Sequence, residues 1–201
     1  TIADPMMIEE LFKNLPKDAA LISPIIYYYD SPNRIWSMGG KINPIFLEVT
    51  RFLDFSQSPP QKAIIHEFIP SCAWLLKSEI ITKIGYLDES YYPIYYDDLD
   101  YCLRIKRQGY KIYIIPQAKL WHKVSLSSGG EKSPNERYLM ARNSGYYFRK
   151  NMKIWQASFI IIFRFISFLL WNLRLLIVGK FTALKSYWRG SVDGWLKKLP
   201  E

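Results

Sequence analysis

The sequence predicts a mixed α/β fold with an apolar tail, because extended and helical patterns alternate along the chain. The apolar run at residues 19–29 is typical of a buried strand. The helical patterns at residues 78–84 and 97–108 each stop at a glycine, a common helix end. Residues 155–181 form the most apolar stretch and carry arginines at helical spacing. These patterns predict one α/β domain followed by a tail of different character.

Shorter elements fill the rest of the predicted domain. The N-terminal segment is expected to form a helix over residues 4–14, because Asp4 is a good cap and Pro5 suits the first helical position. The proline-containing stretch at residues 43–62 is expected to be a loop, and it is a candidate lid over a site. Further expected elements are a turn at 30–33, a strand at 35–42, a strand pair or one kinked strand at 63–77, strands at 110–116 and 118–124, and a helix at 134–151.

Composition narrows the classes of partner. The 201 residues carry a formal net charge of +9, and this basic excess suggests phosphate groups, acidic lipid or nucleic acid without choosing among them. Cys72 and Cys102 form no CxxC motif, so we expect free thiols, buried or half-buried, in a reducing compartment. The N-terminus has neither a basic nor an apolar segment, and no signal peptide is expected. It also lacks an initiator Met, which suggests a fragment.

The densest chemistry lies at the acidic start of the helix expected at residues 97–108. Asp97, Asp98 and Asp100 sit at the positive end of the helix dipole, and Asp100 is spaced to pair with Arg104. A well-capped surface helix explains this charge order. It does not explain why two adjacent carboxylates follow a run of tyrosines. That arrangement also suggests a general base at the rim of a sugar-binding cleft.

Residues 85–122 contain an ordered set of motifs that continues to Arg142-Asn143 and, weakly, to RGSVDG at 189–194. In the identity and order of these motifs, the chain resembles the bacterial family 2 glycosyltransferases of the rhamnosyltransferase-like kind. The resemblance covers most of the chain, and the ordered set is specific although each piece alone is weak. The matching positions are Gly85, Asp88-Glu89, Tyr91-Tyr92, Asp97-Asp98-Leu99-Asp100, Arg104, Gly109-Tyr110, Pro116 and His122.

The resemblance implies a partial GT-A-like fold, the acceptor-side half of a Rossmann-like glycosyltransferase domain. Asp98 matches the presumed catalytic base, and Asp97 stands where the family has Glu. His122 matches a protein contact to a divalent cation, Mn²⁺ or Mg²⁺, of which Mn²⁺ accepts imidazole more readily. The alternative for His122 is an ordinary, partly buried histidine beside Trp121. His66 has no motif around it and is expected to be structural.

With the resemblance, the candidate function is inverting, metal-dependent transfer of a sugar from a nucleotide-sugar donor to a glycan or lipid-linked acceptor in cell-surface polysaccharide synthesis. The resemblance also implies that the nucleotide-binding half lies upstream of Thr1, so the chain alone is expected to be inactive. Lys123 is a candidate for extra positive charge near the diphosphate, or a surface residue. The candidate substrate-binding residues are Tyr95, Tyr96, Asp100, Arg104, Trp121 and Arg142.

The tail, expected over residues 153–201 after a domain at 1–152, is predicted to bind an anionic membrane. On one continuous helix its polar residues share a narrow sector, opposite Ile, Leu and Phe, which is typical of a helix lying in the interface. Packing on the protein's own core and true spanning are the alternatives. The expected location is the cytoplasmic face of the bacterial plasma membrane. The sector residues are Lys153, Gln156, Arg164, Ser167, Arg174, Lys185 and Arg189.

Two rival functions stay open. A non-enzymatic, membrane-associated interaction module explains the tail and the net charge but not the ordered motifs. Nucleic-acid binding ranks last, because the basic residues concentrate on an apolar tail instead of a polar groove.

Overall fold

The computed structural model describes residues 1–51, 60–124, 130 and 132–198. Strands and helices alternate along these residues, which confirms the mixed α/β class. In chain order the elements are β1 Ile2–Ala3, α1 Met7–Lys13, β2 Ala19–Tyr28, β3 Ile35–Ser37, β4 Gly40–Ile42, β5 Val49–Arg51, β6 Ile64–His66, β7 Leu75–Leu76, α2 Ser78–Ile84, α3 Asp97–Arg107, β8 Lys111–His122, α4 Pro134–Asn151, α5 Ile154–Ile177 and α6 Phe181–Leu196.

The chain divides into two compact units. The first, here called the sheet unit, contains all the strands named above with α1, α2 and most of α3. The second, the helical unit, contains α4, α5 and α6 with two short segments from earlier in the chain. The expected division of the chain at residue 152 stays a prediction. The sheet unit comprises residues 1–42, 49–87 and 98–124, and the helical unit comprises residues 43–48, 88–97 and 125–201.

A six-stranded sheet organises the sheet unit around the parallel pair β2 and β8. Strands β1 and β6 pair with β8, and β3 and β7 pair with β2, all antiparallel. Nearly every residue of β2 is buried, which explains its continuous apolar run. The parallel pair ends with Tyr28 opposite His122. His122 therefore stands at the carboxyl end of the central strands, the edge where open α/β sheets bind ligands.

The sequence located α2 and α3 well, whereas α1 begins at Met7 and is not capped by Asp4 as expected. Helix α2 covers the expected residues and is followed by Gly85. Helix α3 buries the apolar stripe that its pattern predicts, including Leu99 and Leu103. The strand expected at residues 35–42 is two strands, however. Gly39 separates them with φ +83°, and a side chain there would collide with the His66 ring and a backbone oxygen.

The helical unit is held together by close contact between α4 and α6. A Cβ at Gly194 would lie 2.3 Å from the Arg142 carbonyl oxygen, and one at Gly145 would lie 2.6 Å from Gly194. Only glycine permits this approach of the two backbones. In the same stretch Asp193 is buried and accepts a hydrogen bond from Tyr138 Oη. The RGSVDG motif therefore has a packing role.

The tail is two helices instead of the single helix assumed for its polar sector. The chain turns at Gly179, which has φ +68°, so Lys185 and Arg189 belong to α6 and do not extend the face of α5. The predicted alignment of cations along one face is therefore wrong for these two residues. Within α5, Gln156 is buried and the Arg164 side chain is only 15% exposed. The side of α5 that carries Gln156 and Arg164 therefore faces the protein, whereas Arg174 is exposed.

The apolar side of α5 is exposed. The helix has 24 residues, and its most apolar window of 18 has a mean hydropathy of 2.0 with 11% of it buried. A core helix of a soluble protein would be mostly buried. By length and composition α5 can associate with or cross a membrane. Its exposed residues include Phe159, Ile161, Ile162, Phe165, Ile166, Leu169, Leu170 and Leu173.

Candidate functional site

The loop directly before α3, residues 91–96, is called the aromatic loop here. Its last two residues, Tyr95 and Tyr96, have φ +78° and +68°, in the left-handed region. This conformation costs each non-glycine residue about 1–2 kcal/mol, so surrounding contacts must hold it. Strain of this kind concentrates at binding and catalytic sites. The strained pair stands immediately before Asp97, the first residue of α3.

Asn143 on α4 supplies the contacts that hold this loop. Its side chain is fully buried, and Nδ2 donates to the carbonyl oxygens of Tyr91 (2.7 Å), Ile94 (2.8 Å) and Tyr95 (3.0 Å). The three carbonyls surround one carboxamide nitrogen and share its two hydrogens; Tyr91 ends a short 3₁₀ helix, Glu89–Tyr91, and the other two acceptors lie outside regular structure. Asn143 fixes the curvature of the loop.

Arg142 supports the same loop. Its Nε donates to Asn143 Oδ1 at 2.8 Å, which fixes the orientation of the carboxamide, and its Nη2 donates to the Tyr92 carbonyl at 2.5 Å. Its guanidinium also lies over the rings of Tyr138 and Tyr146, 5.7 Å from each centroid. The sequence predicts Arg142 to bind substrate. The structure gives it a positioning role toward the loop.

Tyr96 points into the helical unit. Its ring packs 5.4 Å from that of Tyr147, and its hydroxyl donates to Glu48 Oε1 at 3.2 Å. Burial, followed by the nearby Glu48 carboxylate, raises the pKa of Tyr96 far above its usual value. This tyrosine therefore stays protonated and anchors the loop. Tyr95 is half-buried, and its carbonyl is the third acceptor for Asn143.

Asp97 and Asp98 begin α3 as expected, and both are half-buried. Within the sheet unit, Asp98 Oδ1 accepts the Leu99 N–H at 2.8 Å, and its carboxylate lies near the Cys72 thiol. Burial, together with the Asp98 charge, raises the pKa of Cys72 to about 11. Cys72 is therefore a thiol at neutral pH. Cys102 is buried, and neither it nor Cys72 forms a disulfide, as the sequence predicts.

Asp100 and Arg104 form the predicted pair on α3. Asp100 is fully buried, and its Oδ2 accepts from Arg104 Nε at 2.9 Å. The other guanidinium nitrogens donate to the carbonyls of Ile84 and Tyr86, both at 2.8 Å. Arg104 thus ties the end of α2 to α3, because it satisfies an acceptor that the helix terminus leaves open. Their contacts hold α2 and α3 together, and substrate binding by either residue stays a prediction.

His122 and Trp121 end the central strand β8. Trp121 donates from Nε1 to the Pro32 carbonyl at 3.0 Å, so its only polar group is engaged within the protein. The His122 ring lies 5.0 Å from that of Trp36, and its Nδ1 is buried with no hydrogen-bond partner among the described residues. Burial lowers the pKa of His122, so its imidazole is neutral at pH 7.

A neutral imidazole with an unpartnered nitrogen is suited to ligate a cation such as Mn²⁺. Within residues 1–51, 60–124, 130 and 132–198, no group of three His, Cys, Asp or Glu side chains converges to hold a metal. A cavity shared by Asp98 and His122 stays a prediction.

Sequence reasoning missed Glu48, which lies in the stretch expected to be a wandering loop. Its carboxylate accepts from Tyr96 and lies 3.6 Å from Arg164 of α5. Nothing local in the sequence marks this residue, because its partners are 48 and 116 positions away. The candidate lid is described only in part, since residues 52–59 lie outside the described residues.

Comparison with known proteins gives one partial relative. The uncharacterized protein y4gI of Sinorhizobium fredii is 32% identical over 82 residues, which are 41% of this chain and 9% of that protein. The match thus spans less than a tenth of the length of the relative. No protein-family model matches the chain.

Proposed function

We propose that this chain is the acceptor-side half of an inverting, metal-dependent glycosyltransferase of family 2, rhamnosyltransferase-like, with a partial GT-A-like fold. It would act in cell-surface polysaccharide synthesis, with a nucleotide-sugar as donor and a glycan or lipid-linked acceptor. The proposal places the nucleotide-binding half outside this chain.

One observation carries the proposal. The resemblance singles out an aromatic stretch before the acidic pair and, about 50 residues later, Arg142-Asn143. These two sets of positions meet: Asn143 binds three carbonyls of the aromatic loop, and Arg142 binds a fourth. A merely well-capped surface helix needs no such support from α4. The strained, clamped loop is what a precisely positioned carboxylate requires.

In this proposal Asp98 takes the proton of the acceptor hydroxyl as its oxygen attacks the anomeric carbon. The nucleoside diphosphate leaves from the opposite face. The Leu99 N–H donates to the Asp98 carboxylate, and the N-terminus of α3 favours a negative charge at this position. A divalent cation, when bound, supplies charge for the leaving diphosphate, and His122 is the candidate ligand in this chain.

The exposed apolar face of α5 supports an attachment to the cytoplasmic face of the plasma membrane. The tail was expected to turn its cations toward lipid headgroups. We propose instead that the apolar face contacts hydrocarbon while Gln156 and Arg164 face the protein. This membrane contact also fits the rival function, a non-enzymatic membrane-associated module.

A donor screen on the full-length protein separates the two functions. The protein is incubated with uridine and thymidine diphosphate sugars, a lipid extract as acceptor, and Mn²⁺ or Mg²⁺. Metal-dependent release of nucleoside diphosphate with transfer of sugar to the acceptor supports the enzyme. Membrane binding without transfer under any of these conditions supports the rival.

A further inference from the structure

Arg164 is one of the two arginines of α5, and it lies on the protein-facing side of this largely apolar helix. Its Nη1 lies 3.6 Å from Glu48 Oε1, and its Nη2 donates to Ser144 Oγ at 2.9 Å. Its guanidinium also lies over the Phe148 ring, 5.3 Å from the centroid. A charge that is largely removed from water is destabilising unless an opposite charge stays beside it. Glu48 supplies that charge.

The same carboxylate oxygen of Glu48 also accepts the hydroxyl of Tyr96, at 3.2 Å. Tyr96 is the second residue of the strained pair in the aromatic loop. Glu48 therefore bridges α5 and the loop that leads into Asp97. A change in the position of Arg164 would move the acceptor on which Tyr96 depends.

Glu48 has little freedom to swing away, because its segment is fixed on both sides. Gln156 of α5 donates from Nε2 to the Pro44 carbonyl at 2.6 Å, and the Tyr147 hydroxyl donates to the Leu47 carbonyl at 2.9 Å. The ring of Phe46 also packs 5.1 Å from Phe163 of α5. Residues 43–48 thus form a rigid connection between α5 and α4.

We propose that Glu48 is a positioning residue through which the insertion of α5 into a lipid bilayer controls the conformation of the aromatic loop. The inference rests on the proposed membrane contact of α5, and it does not require sugar transfer. With its apolar face in hydrocarbon, α5 is kept from rotating, since rotation would move Arg164 toward lipid. Arg164 then stays against Glu48, and Glu48 keeps Tyr96 in its strained conformation.

The test measures hydrogen exchange of peptides covering residues 91–97, with the whole chain in nanodiscs of phosphatidylethanolamine and phosphatidylglycerol. We expect E48Q and R164Q each to speed exchange in this loop by about tenfold, as expected for loss of one charge-assisted hydrogen bond. R164K keeps the charge and is expected to retain most of the protection. R174Q is the matched control, because Arg174 lies exposed on the same helix over Trp171 and should leave the loop unchanged.

A second pair of variants tests the dependence on lipid. Glutamates on the outward face of α5, F165E with L169E, should weaken the insertion of α5 into the bilayer and speed hydrogen exchange in the aromatic loop. The same change should have no added effect in the E48Q background. Unchanged loop exchange in E48Q, or faster exchange spread evenly over α4, α5 and α6, would overturn the role of Glu48. Failure of the unmodified chain to bind lipid would overturn the membrane contact as well, whereas absence of sugar transfer would leave both intact.

Discussion

The side-chain amide of Asn143 donates to the backbone carbonyl of Tyr95 at 3.0 Å, although the two residues lie 48 positions apart. Tyr95 is the first of two consecutive tyrosines with positive φ, and the helix that carries Asp97 and Asp98 starts right after them. Asn143 therefore stabilises a loop conformation that the tyrosines would not adopt alone. Arg142 completes the arrangement by holding the amide oxygen.

Replacing Asn143 with Ala should destabilise the helical unit. The change removes one buried and two partly buried hydrogen bonds to the loop carbonyls, and we expect a loss of about 2–4 kcal/mol in the free energy of unfolding, since loss of a buried hydrogen-bond partner costs about 1–3 kcal/mol. Chemical denaturation followed by circular dichroism measures this loss. Ser133→Ala, which removes a helix cap on α4 remote from the loop, is the control, with an expected loss of about 1 kcal/mol. A loss of unfolding free energy in Asn143→Ala no larger than in Ser133→Ala would contradict the role of Asn143 in holding the aromatic loop.

The titration of Cys72 reports on the position of Asp98. Because burial and the Asp98 charge both disfavour the thiolate, alkylation of Cys72 by iodoacetamide should be slow at pH 7–8 and rise toward a midpoint of about 11. Asp98→Asn removes the negative charge and should move the midpoint to lower pH. Asp30→Asn, in an exposed turn, should leave the midpoint in place. Equal midpoints for Asp98→Asn and the unmodified chain would mean that the carboxylate is not beside the thiol.

Membrane attachment should depend on the apolar face of α5 more than on the tail cations. Phe165 and Leu169 are exposed, so paired glutamates there leave packing intact but oppose insertion, at roughly 2.5–3.5 kcal/mol per charge near the bilayer centre. Flotation with anionic liposomes should show release of this variant. Lys185→Glu, on the exposed surface of α6, should float nearly as well as the unmodified chain. If Lys185→Glu reduced flotation more than the paired glutamates on α5, the result would support the orientation predicted from the sequence, in which the tail cations face the lipid headgroups.

Local patterns predicted the elements and not the contacts between distant residues. The strand at β2 and the helices α2, α3 and α4 follow from apolar periodicity and end signals that lie within a few residues of each other. The acidic start of α3 could be read in the same way. The contacts of Asn143 with the aromatic loop and those of Glu48 with Tyr96 and Arg164 could not, because they join residues 48 to 116 positions apart.

The tail shows a second limit of sequence patterns. Helical periodicity separated the polar side of α5 from its apolar side, but it does not say which side meets the protein. Gln156 and Arg164 contact Pro44, Ser144 and Glu48, so the first half of the polar side packs against the protein, whereas Arg174 further along is exposed. The turn at Gly179 was also missed, since a lone glycine within a helical pattern is compatible with a continuous helix.

The most direct measurement for the account is sugar transfer by the full-length protein carrying Asp98→Asn, beside Asp30→Asn and the unmodified protein. The proposal predicts that turnover falls by about 100-fold or more, the usual contribution of a general base, while the affinity for the nucleotide-sugar stays the same and Asp30→Asn is fully active. Near-normal turnover in Asp98→Asn would contradict the assignment of Asp98 as the base.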